Sequence, residues 1–89
     1  MDAWVGSPDC DRILTAYAAR KGIQDRGEAL RSLMLMLLVS DANTLRSYRE
    51  FPPANRDERA TVRLLTNAHA LRLAYVEQRG WDVPPEARL

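Results

Sequence analysis

The chain has 89 residues, enough for one small domain that can only marginally stabilise itself through its own core, and 46% apolar with 28% charged residues is the profile of a folded chain rather than a disordered one. A formal net charge of +1 excludes a strong global field that would draw the chain to nucleic acid or to a membrane surface. A single cysteine, Cys10, excludes an internal disulfide framework and fits a reducing cytoplasm.

Twelve of the thirteen basic residues are Arg, a skew that G- and C-rich coding explains more often than phosphate binding does. The opening residues lack the basic region and apolar core of a signal peptide, and no apolar stretch reaches the roughly 20 residues a bilayer span needs. A cytoplasmic protein with no membrane contact is the expectation.

Residues 1–6 carry Trp4 and Val5 without a strong pattern and read as a short strand or an arm. Ser7-Pro8-Asp9 is a helix start, with Ser7 as cap, Pro8 where its missing N–H costs nothing, and Asp9 beside the positive end of the dipole. Cys10, Ile13, Leu14, Tyr17 and Ala18 then form one apolar face of a first helix. Gly22 closes that helix, with Ile23 placed to fold back on Ala18.

A second helix begins near Arg26, because Asp25 and Glu28 have the spacing of a capping box. It contains the run around which the whole chain is organised, Leu33 to Val39, seven apolar residues with no outward side. Leu and Met favour a helix over a strand, and apolar side chains all round a helix call for cover on every face. The helix either continues to Phe51 or breaks at residues 40–44, where Ser40, Asp41, Asn43 and Thr44 could each cap a restart.

Pro52-Pro53 stops any helix, and Asn55 with Glu58 repeats the capping-box spacing, so a third helix is expected from Arg56 to about Arg79, closed by Gly80 with Trp81 against Val76. This helix has two apolar stripes. Leu64, Ala68, Leu71 and Tyr75 form one; Val62, Leu65, His69, Leu73 and Val76 form the other. One can face the chain's own core, and the second set is the expected partner surface, most simply for a second copy. The tail, 81–89, is too rich in proline for regular structure. The expectation is a single all-α domain over 1–89 with three main helices, dimeric through a buried central helix, a short N-terminal strand being the one alternative element.

Few residues could carry chemistry. Cys10 and His69 are the sole members of their types, so one chain cannot build a zinc site from two or more such ligands, and both fall on apolar faces where packing outweighs catalysis. The four glycines, at 6, 22, 27 and 80, form no phosphate loop, and Met34 with Met36 reads as core filling. Acidic pairs at the helix starts answer the dipole. Arg56, Arg59 and Arg63 form a basic strip that reads as a solvated face balanced by Asp57 and Glu58. No catalytic site, metal or cofactor is expected.

From Ile13 to about Leu38 the chain runs I-L-T-A-Y-A-A-R-K-G-I-Q-D-R-G-E-A-L-R-S-L-M-L-M-L-L, with Gly22, Arg26, Glu28, Ala29, Leu30 and Arg31 in the register of an apolar helix, a glycine turn and a hydrophobic second helix. This segment resembles the helix-turn-helix half of the ribbon-helix-helix DNA-binding proteins. The resemblance implies two chains interlocked through the second helix, with Leu30, Leu33, Met34, Leu37 and Leu38 at the interface. It also implies a paired ribbon before the first helix and a phosphate held by the amides near Arg26 and Gly27, with Arg31 close by. Gly27 stands where that family usually has Ser, and residues 2–7 hold no Arg, Lys, Asn or Gln to read a base edge.

Two functions follow as expectations. The first is a dimeric DNA-binding regulator of the repressor, antitoxin or plasmid accessory type. The second is a small helical protein-interaction module, an inhibitor or adaptor, that binds another protein and no DNA.

Overall fold

The computed structural model describes residues 2–89 as α1 (Asp2–Val5), α2 (Pro8–Lys21), α3 (Arg26–Glu50) and α4 (Arg56–Gln78), followed by a 3-10 turn at Pro85–Ala87. The fold is all-α, with three long helices and no strand among the described residues. No described helix is long and apolar enough to cross a membrane.

The helix ends sit where the capping residues put them. Ser7 Oγ accepts from the Cys10 amide at 3.2 Å, Asp25 Oδ1 from Glu28 at 3.0 Å, and Asn55 Oδ1 from Glu58 at 2.9 Å. Each satisfies one amide that the first turn leaves without a helical partner. At α4 the exchange is reciprocal, since Glu58 Oε2 accepts from the Ala54 amide at 2.6 Å. Gly22 ends α2 at φ 69°, and the Ile23 amide returns to the Ala18 carbonyl at 2.9 Å.

One expectation about the elements needs correction, and one alternative left open is decided. Residues 2–5 form a helical turn, neither a strand nor an arm; residue 1 lies outside the described residues. Ser7 helps to stop that turn, its hydroxyl donating to the Trp4 carbonyl at 2.6 Å. Nor does α3 break at 40–44. Thr44 donates its hydroxyl to the Ser40 carbonyl at 3.2 Å within a continuous helix, and Ala42 and Leu45 are buried. Packing along this stretch outweighs the capping tendency of its polar residues.

At about 1.5 Å per residue the 25 residues of α3 set the long dimension of the molecule, 42 Å. Helix α2 packs on one face of its N-terminal half, and α4 packs along another. Two clusters result. Leu14 and Tyr17 of α2 meet Ala29 and Leu33, with Leu30 and Leu37 at the margin. Met34 and Leu38 meet Tyr75, Val76 and Ala87, with Trp4, Val5, Leu35, Val39, Leu73, Trp81 and Val83 packed around them. Tyr17 and Ser32 hydroxyls share a hydrogen bond of 2.7 Å across the first contact, and Arg72 pairs with Asp41 across the second.

The apolar run is therefore covered largely within one chain. Met34 and Leu38 are fully buried, Leu33 nearly so, and Leu30 and Leu37 are half-buried. These five residues, expected to need a second subunit, pack against α2, α4 and the C-terminal segment, with Leu30 and Leu37 partly open; Met36 is the one member of the run left exposed. The physical reason is the tail.

The tail is structured. Gly80, at φ 72°, reverses the chain, with the Trp81 amide donating to the Val76 carbonyl at 3.2 Å. Residues 81–89 then return along the α3–α4 groove as a strap. His69 Nε2 meets the Ala87 carbonyl at 2.6 Å; because a carbonyl can only accept, the ring carries its proton there. The Arg46 guanidinium donates to the carbonyls of Glu86 and Arg88 at 2.8 and 2.9 Å. Proline removes amide donors from the strap, and these side chains satisfy carbonyls that no helix or sheet would pair.

Candidate functional site

Two surfaces can be weighed as sites, the α2–α3 corner and the outer face of α4. At the corner, Arg26 and Gly27 open α3 and both are exposed. The anion position in front of this helix is occupied from within the chain. Asp25 caps the Glu28 amide, and a Cβ on Gly27 would meet Asp25 Oδ1 at 3.1 Å, so the carboxylate lies close against the turn. Arg26 is paired with Asp11 of α2 at 2.7 Å, both side chains more than half exposed.

Five residues on, Arg31 projects roughly 140° away around the helix from Arg26 and shares no face with it. Helix geometry thus brings Arg26 and Gly27 together and leaves Arg31 apart. Beside the corner, Leu14, Thr15, Ala18, Gln24, Arg26 and Ala29 line a shallow cleft of about 190 Å³. A phosphate at this place would have to displace one carboxylate and take Arg26 from another.

The two stripes of α4 are turned the opposite way from the expectation. Val76 and His69 are buried, and Val62, Leu65 and Leu73 are half-buried, so the set assigned to a partner packs against α3 and the strap. Buried His69 is consistent with this orientation. Its ring nitrogen supplies a partner for a strap carbonyl, and a buried polar group stays inside when it is hydrogen-bonded.

The other stripe faces out. Leu64 is 70% and Leu71 56% exposed, with Ala60 exposed beside them and Ala68 half-buried between them. Tyr75 is the exception: Trp81 meets its ring edge-on at 6.1 Å and the Arg79 guanidinium lies 4.5 Å from its centre, so it is buried at the end of the stripe. From Ala60 to Tyr75 this face carries no charge; Asp57 stands at its start and Arg79 at its end. Sequence periodicity identified the stripe but could not show that it stayed uncovered. The missing signal was the strap.

The structure does not bring Cys10 and His69 together. Cys10 is fully buried at the start of α2, and burial pushes its thiol up from its ordinary range, an effect Asp11 adds to and Arg26 partly offsets. Such a thiol stays protonated and unreactive at neutral pH. His69 is on α4, which makes no close backbone approach to α2. Among the described residues, no three His, Cys, Asp or Glu side chains come together as metal ligands.

A second cleft of about 190 Å³ lies between the ends of α3 and the strap, lined by Leu45, Tyr48, Arg49, Pro53, Val62, Thr66 and Leu89. Leu89 sits against it. Comparison with protein-family models, with curated proteins and with solved structures found no match to this chain, so its function rests on the geometry of its own residues.

Proposed function

We propose that this chain is a small helical protein-interaction module that docks a partner helix on the outer face of α4. The observation that carries the reading is the pair Leu64 and Leu71, one heptad apart on an uncharged face and each more than half exposed; among the other large apolar residues described, only Phe51 is as exposed, and it stands alone at the end of α3. Such a face matches the spacing by which helices dock side by side. The DNA-binding alternative needs a ribbon before α2 and an open first turn on α3. A helix at Asp2–Val5 and the Asp25 carboxylate in that turn weigh against it.

The test places a photoreactive side chain at position 64, or at exposed Asn43 of α3 as a control, in cells that carry the gene. A cross-link to a polypeptide of defined mass from position 64 alone, abolished by Leu71→Glu, is the expected result. Alongside it, the purified chain is titrated with random duplex DNA at about 50 and 200 mM salt. Binding that weakens steeply between them, with no cross-link at 64, reports phosphate neutralisation and overturns the proposal in favour of the DNA-binding reading.

A further inference from the structure

Building on that reading, we infer that the occupant of the α4 face is a second copy of this chain, with the two α4 helices antiparallel about a two-fold axis level with Asn67 and Ala68. Self-complementarity is the first argument. Turned end for end about that axis, Leu64 of one copy comes level with Leu71 of the other, and Ala60 with Tyr75. Large residues are flanked by Ala60, Ala68 and Ala74, which let the two helices approach closely.

Charge decides the direction. Asp57 and Arg79 bracket the apolar face, both are exposed, and neither has an ion-pair partner among the described side chains. At 100° per residue they lie on the same side of the stripe. Antiparallel pairing sets each Asp57 beside Arg79 of the other copy at both ends of the contact. It also sets each helix N-terminus beside the other's C-terminus, the favourable arrangement of the two dipoles. Parallel pairing would oppose Asp57 to Asp57 and Arg79 to Arg79. A partner with a charged docking face would find no counter-charge along the middle of the stripe, where a copy of the same uncharged face loses nothing.

The overlap from Ala60 to Tyr75 spans sixteen residues, about 24 Å at 1.5 Å per residue, so the contact falls at the small end of specific interfaces and the dimer dissociates in the micromolar range. It leaves α3 enclosed within each copy, unlike a dimer built on the apolar run.

Sedimentation equilibrium of the full chain between about 5 and 500 μM tests this. A monomer–dimer equilibrium is expected, and Leu64→Glu with Leu71→Glu makes the chain monomeric with its helical circular dichroism unchanged. Asp57→Arg and Arg79→Asp each weaken association about tenfold or less, and the double charge swap restores it. Register is read by mild oxidation: Asn67→Cys forms a disulfide-linked dimer and Ala60→Cys does not, while buried Cys10 stays out of the reaction. A chain that is monomeric at 500 μM overturns the inference, as does a dimer indifferent to the two Glu substitutions. Self-linking at both 60 and 67 overturns the antiparallel direction. If the photoreactive group at 64 links to a different polypeptide and the chain is monomeric, this inference falls and the interaction reading stands; with no protein link at all, both fall.

Discussion

Two glycines in this chain end helices in almost the same way and lead to opposite outcomes. Gly22 and Gly80 both take left-handed backbone, at φ 69° and 72°, and each is followed by an apolar residue whose amide returns to the last turn, Ile23 to Ala18 and Trp81 to Val76. After Gly22 come Gln24 and Asp25, and Asp25 restarts a helix within four residues. After Gly80 come Asp82, Val83, Pro84 and Pro85, and the chain makes only a 3-10 turn at Pro85–Ala87 as it runs back along the groove. The cap sets only that the chain turns. What the following residues can do decides whether the turn makes a helical corner or a strap.

The strap side of this comparison breaks with the largest effect. Removing residues 81–89 uncovers Val76, Leu38 and Met34 and unpairs His69; the loss, about 3–5 kcal/mol by analogy with large core deletions, takes most of the stability of so small a domain. Urea unfolding followed by circular dichroism measures it, and a truncated chain as stable as the full one would show that the strap is not part of the core. A narrower cut is Ala87→Glu. It places a charge where there is no exposure at all and should cost roughly 3 kcal/mol, with α2 and its contact on α3 kept.

Gly22→Ala and Gly80→Ala sharpen the likeness. A Cβ at either position meets nothing within 4 Å, so each substitution should cost only the left-handed backbone term, about 1 kcal/mol, and the two should agree closely. A much larger loss at Gly80 would mean that the return of the strap depends on the cap itself. Asp25→Ala belongs on the same scale, about 1 kcal/mol for the lost cap on α3.

The smallest effect is at Cys10. Its pKa is raised above the ordinary value of 9.0 because burial disfavours the thiolate. The folded state therefore holds the thiol proton more tightly than the unfolded chain does, and stability falls as pH rises past the ordinary thiol range. Cys10→Ala should flatten that alkaline decline while costing some packing. In the wild type, a thiol reagent should react at neutral pH only as fast as the chain opens.

Much of the architecture was legible residue by residue. Ser7, Asp25 and Asn55 as caps, Gly22 and Gly80 as stops, and Pro52-Pro53 as the break before α4 act through neighbours a few positions away, so their effect is contained in local sequence. The all-α class followed from them and from the helical apolar faces. Less was legible at the candidate site. The periodicity of α4 contained both stripes, but Leu64 and Leu71 look as suited to a core as Leu65 and Leu73 do. Residues 2–5 were misread because four residues without periodicity hold too little signal, and the helical turn is held by Ser7 and by packing of Trp4 and Val5 on a distant cluster.

What the sequence alone determined, then, is where the three long helices begin, where α2 and α4 end, and that most of the run from Leu33 to Val39 must be covered, because capping and periodicity are local. Only the tertiary structure decided what covers it. The carbonyls of Glu86, Ala87 and Arg88 lie near the end of the chain and find donors at His69 and Arg46, 18 to 42 positions away. That pairing turns His69 and its stripe inward and leaves Leu64 and Leu71 facing out, since one helix cannot bury both sides against the same partner.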